Sequence, residues 1–232
     1  MIMRRRALLL SGLLALATSA GATDGAALLK QQCAACHNLT GPAPANLAQL
    51  WARKGPDLFY AGNKYRKEWL VSWLQAPTRI RPAGEFYEDH IHRGAQSDEV
   101  DASTLPAHAK LSAADAEAVA AELMRLKPMD QLIAQEKIEP GTVSRSMGEM
   151  AFDKFLGCMA CHEIAPDRGG LSGPELYDAG HRLQPEYVAS YIRRPRAWDP
   201  KIWMPNKGVS DANIQKMVRY LIALSEADEH GK

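Results

Sequence analysis

Two five-residue runs carry the chemistry of this chain: Cys33-Ala34-Ala35-Cys36-His37 and Cys158-Met159-Ala160-Cys161-His162. Each sets two thiols one helical turn apart and an imidazole directly after the second. This spacing is the signature of c-type haem attachment. The thiols form thioether bonds with the porphyrin vinyl groups, and the histidine ligates the iron from the proximal side. The chain has four cysteines and the two runs use all of them, so no thiol is left for a disulfide, a redox pair or an axial cysteine. A zinc site needs two Cys-x-x-Cys pairs with a short stretch between them, and a thioredoxin-like dithiol needs a βαβ setting. Here the pairs are far apart, each has its own histidine, and no such setting is near. The reading is two covalent haem c groups, attached through Cys33, Cys36, Cys158 and Cys161, with His37 and His162 as iron ligands.

The elements that must position these residues come as a repeat. Gly55-Pro56-Asp57-Leu58 with Ala61-Gly62 matches Gly173-Pro174-Glu175-Leu176 with Ala179-Gly180. In the same register Glu68-Trp69-Leu70-Val71-Ser72-Trp73-Leu74 matches Glu186-Tyr187-Val188-Ala189-Ser190-Tyr191-Ile192, and Pro77 matches Pro195. A constant offset over so many positions indicates duplication of one unit. Helices are expected over Gly25–Cys36 and Met147–Cys161, each ending in a haem motif, with a capping box at Ser146-Met147-Gly148-Glu149 for the latter. Middle helices are expected over Tyr65–Gln75 and Pro185–Arg194, each closed by a proline. The last helix of each half starts at a serine N-cap, Ser112 or Ser210. Val119, Leu123 and Leu126, and likewise Ile214, Met217, Val218 and Leu221, recur at helical spacing. Pro128, Pro140 and Gly141 put the connection between halves in Lys127–Arg145, with one short helix over Asp130–Lys137. No alternating strand pattern stands out, so the fold class is all-α. The expected division is a leader over residues 1–22, a first domain over 23–138 and a second over 139–232.

With these features in place, each half resembles a class I cytochrome c domain: haem motif on the first helix, Gly-Pro-x-Leu loop, middle helix, ligand loop and C-terminal helix. The whole looks like a dihaem cytochrome c of two tandem domains. The resemblance implies that Pro56 and Pro174 pack near the proximal histidines. It also implies a distal iron ligand from the loop before the last helix. In the second half that loop reads Trp203-Met204-Pro205-Asn206, which makes Met204 the expected axial ligand of the second haem. In the first half Thr104-Leu105-Pro106-Ala107-His108 stands there instead, and Leu105 cannot bind iron. This loop carries twenty more residues than its counterpart and contains His90, His92 and His108. His108 lies nearest the missing methionine; His90 and His92 are the alternatives, and an iron with five ligands is the third case.

Methionine–histidine ligation raises a haem potential relative to two imidazoles. The expectation is a potential step, with electrons entering at the Cys33/Cys36 haem and leaving from the Cys158/Cys161 haem. The function implied is one-electron transfer between periplasmic redox proteins, a dehydrogenase or quinol-oxidising complex as donor and an oxidase or reductase as acceptor. The alternative is a dihaem enzyme, a peroxidase or a sulfur-compound oxidoreductase, with an open iron at the first haem.

The rest of the chain bounds these readings. Arg4-Arg5-Arg6, the apolar run Ala7–Ala17 and Ala20-Gly21-Ala22 read as a secretory signal peptide, too short to span a bilayer; a retained N-terminal anchor is the alternative. This fits periplasmic haem attachment, and no later segment is apolar enough to cross a membrane. Residues 24–138 hold 13 basic and 14 acidic side chains and residues 139–232 hold 12 and 13, a balance that argues against nucleic acid as partner. Local charge, acidic at Glu85-Phe86-Tyr87-Glu88-Asp89 with Asp98-Glu99-Val100-Asp101 and basic at Arg193-Arg194-Pro195-Arg196, and the long loop of the first half are the candidate docking signals.

Overall fold

The computed structural model describes residues 24–229; the expected leader lies outside the described residues. The first half contains α1 (Gly25–Cys33), α2 (Leu47–Trp51), α3 (Ala61–Lys64), α4 (Lys67–Gln75) and α5 (Ala113–Leu123). α6 (Asp130–Ile133) lies in the connection. The second half contains α7 (Arg145–Met150), α8 (Ala179–Arg182), α9 (Pro185–Arg193), α10 (Pro195–Trp198) and α11 (Asp211–Glu229).

Local chemistry explains most of the boundaries. Asp24 caps α1 by accepting the Ala27 N–H at 3.0 Å, and Ser112 caps α5 by accepting the Asp115 N–H at 3.2 Å. α5 buries Ala116, Val119, Ala120 and Leu123, a stripe that packs on α1 and α4. α11 buries Ile214, Met217, Val218 and Leu221 and packs on α7, α8 and α9. α9 stops one residue short of Pro195, which then opens α10 as its first residue, where a missing N–H costs nothing.

Several expectations need correction. Helix dominates, at about 48%, but the described residues also hold two short antiparallel hairpins. β1 (Ile91–Arg93) pairs with β2 (Asp98–Val100), and β3 (Glu163–Ala165) with β4 (Arg168–Gly169). These strands have two or three residues, too few for an alternation to register. The helix expected over Gly25–Cys36 ends at Cys33, and the one expected to reach Cys161 is broken. After α7 the chain makes a π-helical turn over Ala151–Phe155, and Gly157 then takes a left-handed conformation (φ 63°) ahead of a 3-10 turn at Cys158–Ala160. The cap of α7 is Ser144, not Ser146: its hydroxyl accepts the Met147 N–H at 3.3 Å. Glu149, the expected box partner, instead pairs with Arg168.

The halves meet through matching surfaces. With the offset of 118 residues, Lys64 corresponds to Arg182, Tyr65 to Leu183 and Arg66 to Gln184. The Arg66 N–H donates to Arg182 O (3.0 Å), and the Gln184 N–H donates to Lys64 O (2.9 Å). Tyr65 and Leu183 bridge each other. The Arg66 side chain reaches Leu183 O (3.0 Å), and the Gln184 side chain reaches Tyr65 O (2.8 Å). Trp69 donates to Asp178 (3.1 Å), and their counterparts Tyr187 and Tyr60 stack with centroids 6.4 Å apart. The backbone pair and the side-chain pair at Arg66 and Gln184 thus answer each other under exchange of the halves, the pattern of an approximate isologous twofold contact. The Trp69–Asp178 bond is answered by a ring stack rather than a bond.

The connection is anchored on both sides. Asn63 bonds Asp130 (2.6 Å), Ser190 donates to Leu132 O (2.7 Å), and Arg193 grips the Glu136 carboxylate with two nitrogens (3.0 and 3.1 Å). Among the described residues no helix is long and apolar enough to cross a membrane.

Candidate haem sites

Each cysteine motif closes as a single turn on the carbonyl of its first cysteine. Cys33 O accepts from the N–H groups of Cys36 (3.1 Å) and His37 (2.9 Å), and Cys158 O from those of Cys161 and His162 (both 3.1 Å). The histidines are then oriented from the Gly-Pro loops. His37 Nδ1 lies 2.8 Å from Pro56 O and His162 Nδ1 2.7 Å from Pro174 O. A carbonyl only accepts, so Nδ1 carries the proton in both rings and Nε2 keeps its lone pair for a metal. The glycines before these prolines make the approach possible. A Cβ on Gly55 would stand 2.8 Å from His37 Cε1, and one on Gly173 would stand 2.6 Å from both His162 Cε1 and Nδ1. Burial lowers the pKa of His37 and pushes that of His162 down to about 4. Both rings are therefore neutral at pH 7, the form that ligates.

His108 comes close to His37. Its ring centroid is 6.2 Å from that of His37, with the planes inclined by 51°. Two imidazoles sharing one metal through bonds of about 2.0–2.1 Å have centroids on the order of 6 Å apart. His108 Nδ1 donates to Ala109 O at 2.8 Å, which again leaves Nε2 with its lone pair, and Trp73 meets the ring edge-on at 4.6 Å. The other two histidines of the expanded loop have different partners. Thr104 spends its hydroxyl proton on Asp101 O (2.7 Å), so His90 Nδ1 donates to Thr104 Oγ1 (2.8 Å); the ring packs against Gly84. His92 pairs across the β1–β2 hairpin with Glu99 at 3.3 Å. Leu105, at the place of the missing methionine, is buried.

Met204 is half-buried in the loop between α10 and α11. That loop faces the second motif: Lys207 lowers the pKa of Cys158 against the stronger raising effect of burial.

Sequence reasoning missed a junction between the halves. Arg53 is largely buried and faces three carboxylates, Asp199 at 2.8 Å, Glu85 at 3.0 Å and Asp57 at 3.6 Å. Burial raises the pKa of Asp57 despite Arg53. Beside it Trp51, Phe86 and Trp203 cluster, with Trp51–Phe86 at 4.9 Å, Trp51–Trp203 at 5.7 Å and Phe86–Trp203 at 6.2 Å. One signal was readable in the sequence: the run from His37 to Gly55 is seven residues longer than that from His162 to Gly173. The extra length holds α2 and Trp51.

The donor set fits haem c. Neutral imidazoles fixed through Nδ1 follow each Cys-x-x-Cys turn, and a second imidazole opposes the first. Among the described residues no group of three or more His, Cys, Asp or Glu side chains is gathered as a metal site. Residues 146–221 match the family model described as cytochrome c oxidase, cbb3-type, subunit III. That match supports a c-type cytochrome. It implies covalently bound haem c and, in general terms, electron transfer; its range includes Cys158, Cys161, His162 and Met204. No curated protein and no solved structure matches the chain.

Proposed function

We propose that the chain is a dihaem electron carrier of the periplasm, with one haem c in each half. Cys33 and Cys36 hold the first haem and Cys158 and Cys161 the second. His37 and His108 are the axial ligands of the first, and His162 and Met204 those of the second. When bound, the haems supply a one-electron ferric–ferrous couple. The chain's part is to fix the ligands. Pro56 and Pro174 carbonyls set the tautomer and plane of the proximal rings, and Trp73 packs on the distal imidazole. Two imidazoles hold ferric iron better than an imidazole and a thioether, so the first site has the lower potential. The donor is then a periplasmic dehydrogenase or quinol-oxidising complex, and the acceptor an oxidase or reductase. The halves correspond to residues 23–138 and 139–232, behind a leader over 1–22.

One observation carries this reading: the 6.2 Å opposition of His37 and His108. A peroxidase-type mechanism needs an accessible distal face with a free acid–base group; on the proposed ligand set His108 would close that face. The test is low-temperature EPR with near-infrared magnetic circular dichroism of the oxidised protein. Two low-spin signals are expected, one bis-imidazole and one imidazole–thioether. His108→Ala converts the first alone to high spin and opens it to cyanide and carbon monoxide; His90→Ala and His92→Ala leave it unchanged. A high-spin signal in the unmutated protein would overturn the carrier reading in favour of an enzyme.

A further inference from the structure

We infer that the two expanded segments of the first half clamp the Met204 loop of the second, making Trp51, Phe86 and Arg53 positioning residues for a ligand that lies in the other half. The inference rests on the reading of Met204 as the second site's distal ligand. The loop from Asp199 to Ser210 has no regular structure, and its near end is tied at two points. Asp199 is buried, and its two carboxylate oxygens divide the work. Oδ1 accepts the Lys201 N–H (3.1 Å) inside the loop, while Oδ2 takes Arg53 Nη1 (2.8 Å) from the first half. Trp203, the residue directly before Met204, packs against Trp51 and Phe86.

Both clamping segments lie where the first half is longer than the second. Trp51 and Arg53 sit in the run that carries seven extra residues, Glu85 and Phe86 in the one that carries twenty. The segments also hold each other, through Trp51 on Phe86 and through Arg53 Nη2 on Glu85 Oε1 at 3.0 Å. The twofold contact relates the halves symmetrically, whereas this clamp acts in one direction only. A neutral thioether is a weak ligand, so its retention on iron depends on how rarely its loop opens. Removing ring contacts to Trp203 raises the open population on the order of tenfold, and removing the buried cation from Asp199 raises it further.

The experiment follows displacement of the thioether by added imidazole in the oxidised holoprotein, read as loss of the near-infrared charge-transfer band of thioether-ligated ferric haem. Trp51→Ala is expected to react on the order of tenfold faster than the unmutated protein, and Arg53→Met faster still. Trp51→Phe is expected to stay close to the unmutated protein, and the bis-imidazole EPR signal of the first site to be unmoved. Trp51 is half-exposed, so its variants keep the test available if Arg53→Met does not fold. Unchanged rates in Trp51→Ala would overturn the clamp, as would equal loosening of both sites. Met204→Ala separates the two readings: loss of the band affirms the ligand, and its persistence removes the ligand reading and the clamp with it.

Discussion

Arg182→Met is the sharpest perturbation of the second site's support. Arg182 and Glu175 are both buried, with Arg182 Nη2 donating to Glu175 Oε1 at 3.0 Å and to Glu175 O at 2.6 Å. Glu175 follows Pro174, whose carbonyl orients His162, so this pair backs the proximal histidine. Burial raises the Glu175 pKa even with the guanidinium present. Without Arg182 the carboxylate has no countercharge, and it stays protonated in the folded state to higher pH. A carboxyl whose folded pKa is raised contributes stability below its unfolded pKa, and that stability is lost as pH rises through the folded value. From an unfolded value of about 4.3 to pH 7 the loss accumulates at about 1.4 kcal/mol per pH unit, or roughly 3.5 kcal/mol if the group remains protonated throughout.

That figure falls within the about 3–5 kcal/mol expected for breaking a buried ion pair from one side. For a chain of this size it corresponds to a fall in Tm of about 7–14 °C at pH 7. Near pH 4.5 only the bond to the Glu175 carbonyl is missing, and the deficit shrinks to about 1 kcal/mol. The assay is thermal unfolding of the holoprotein by far-UV circular dichroism from pH 4.5 to 8. Adding Glu175→Gln to Arg182→Met is expected to abolish the extra pH dependence and recover most of the loss. A deficit that is constant with pH, or below about 1 kcal/mol at pH 7, would refute the reasoning.

Two further outcomes follow from the geometry. Gly173→Ala drives a methyl into His162 and Cys161 O, with three atoms nearer than 3.0 Å, whereas Gly55→Ala meets one such atom on His37. The first substitution is expected to cost about 1–3 kcal/mol and to lower haem incorporation at the second site, the second to do less, both read from unfolding curves and haem content. Trp69→Phe keeps the ring stack with Tyr65 and Trp73 but loses the indole bond to Asp178 across the halves. The expected loss is about 1–3 kcal/mol in denaturant titration, and a loss below about 0.5 kcal/mol would deny that bond a role in holding the halves together.

What was legible in the sequence was local. The haem motifs and their histidines are contiguous, and the middle and last helices show 3.6-residue periodicity ended by prolines or begun at serines. Each of these signals sits within one turn or two. The break after α7 was not legible, because it depends on a π-helical turn over Ala151–Phe155 and a left-handed Gly157; Ser144 and Ser146 lie two residues apart and both have a side chain suited to the cap. The β1–β2 hairpin, three residues a side, is too short to show a period. Spacing alone left three histidines open, since which one faces His37 depends on how the expanded loop folds. The Arg53–Asp199 pair joins residues 146 positions apart, and no periodicity or motif reports a bond of that range.

The asymmetry between the halves is where the structure adds most. A symmetric contact has no built-in direction, and at the centre of this one Arg66 to Arg182 O is answered by Gln184 to Lys64 O. The two expansions break that equivalence, and both fall in the first half. One carries His108 to within 6.2 Å of His37, and together they bring Arg53, Trp51 and Phe86 onto Asp199 and Trp203. On the proposed ligand sets, the same added chain that gives the first site its second imidazole also steadies the thioether of the other. Shortening the twenty-residue expansion to the length of its counterpart should therefore change both sites, whereas shortening the β3–β4 hairpin of the second half should leave the first site's bis-imidazole signal intact.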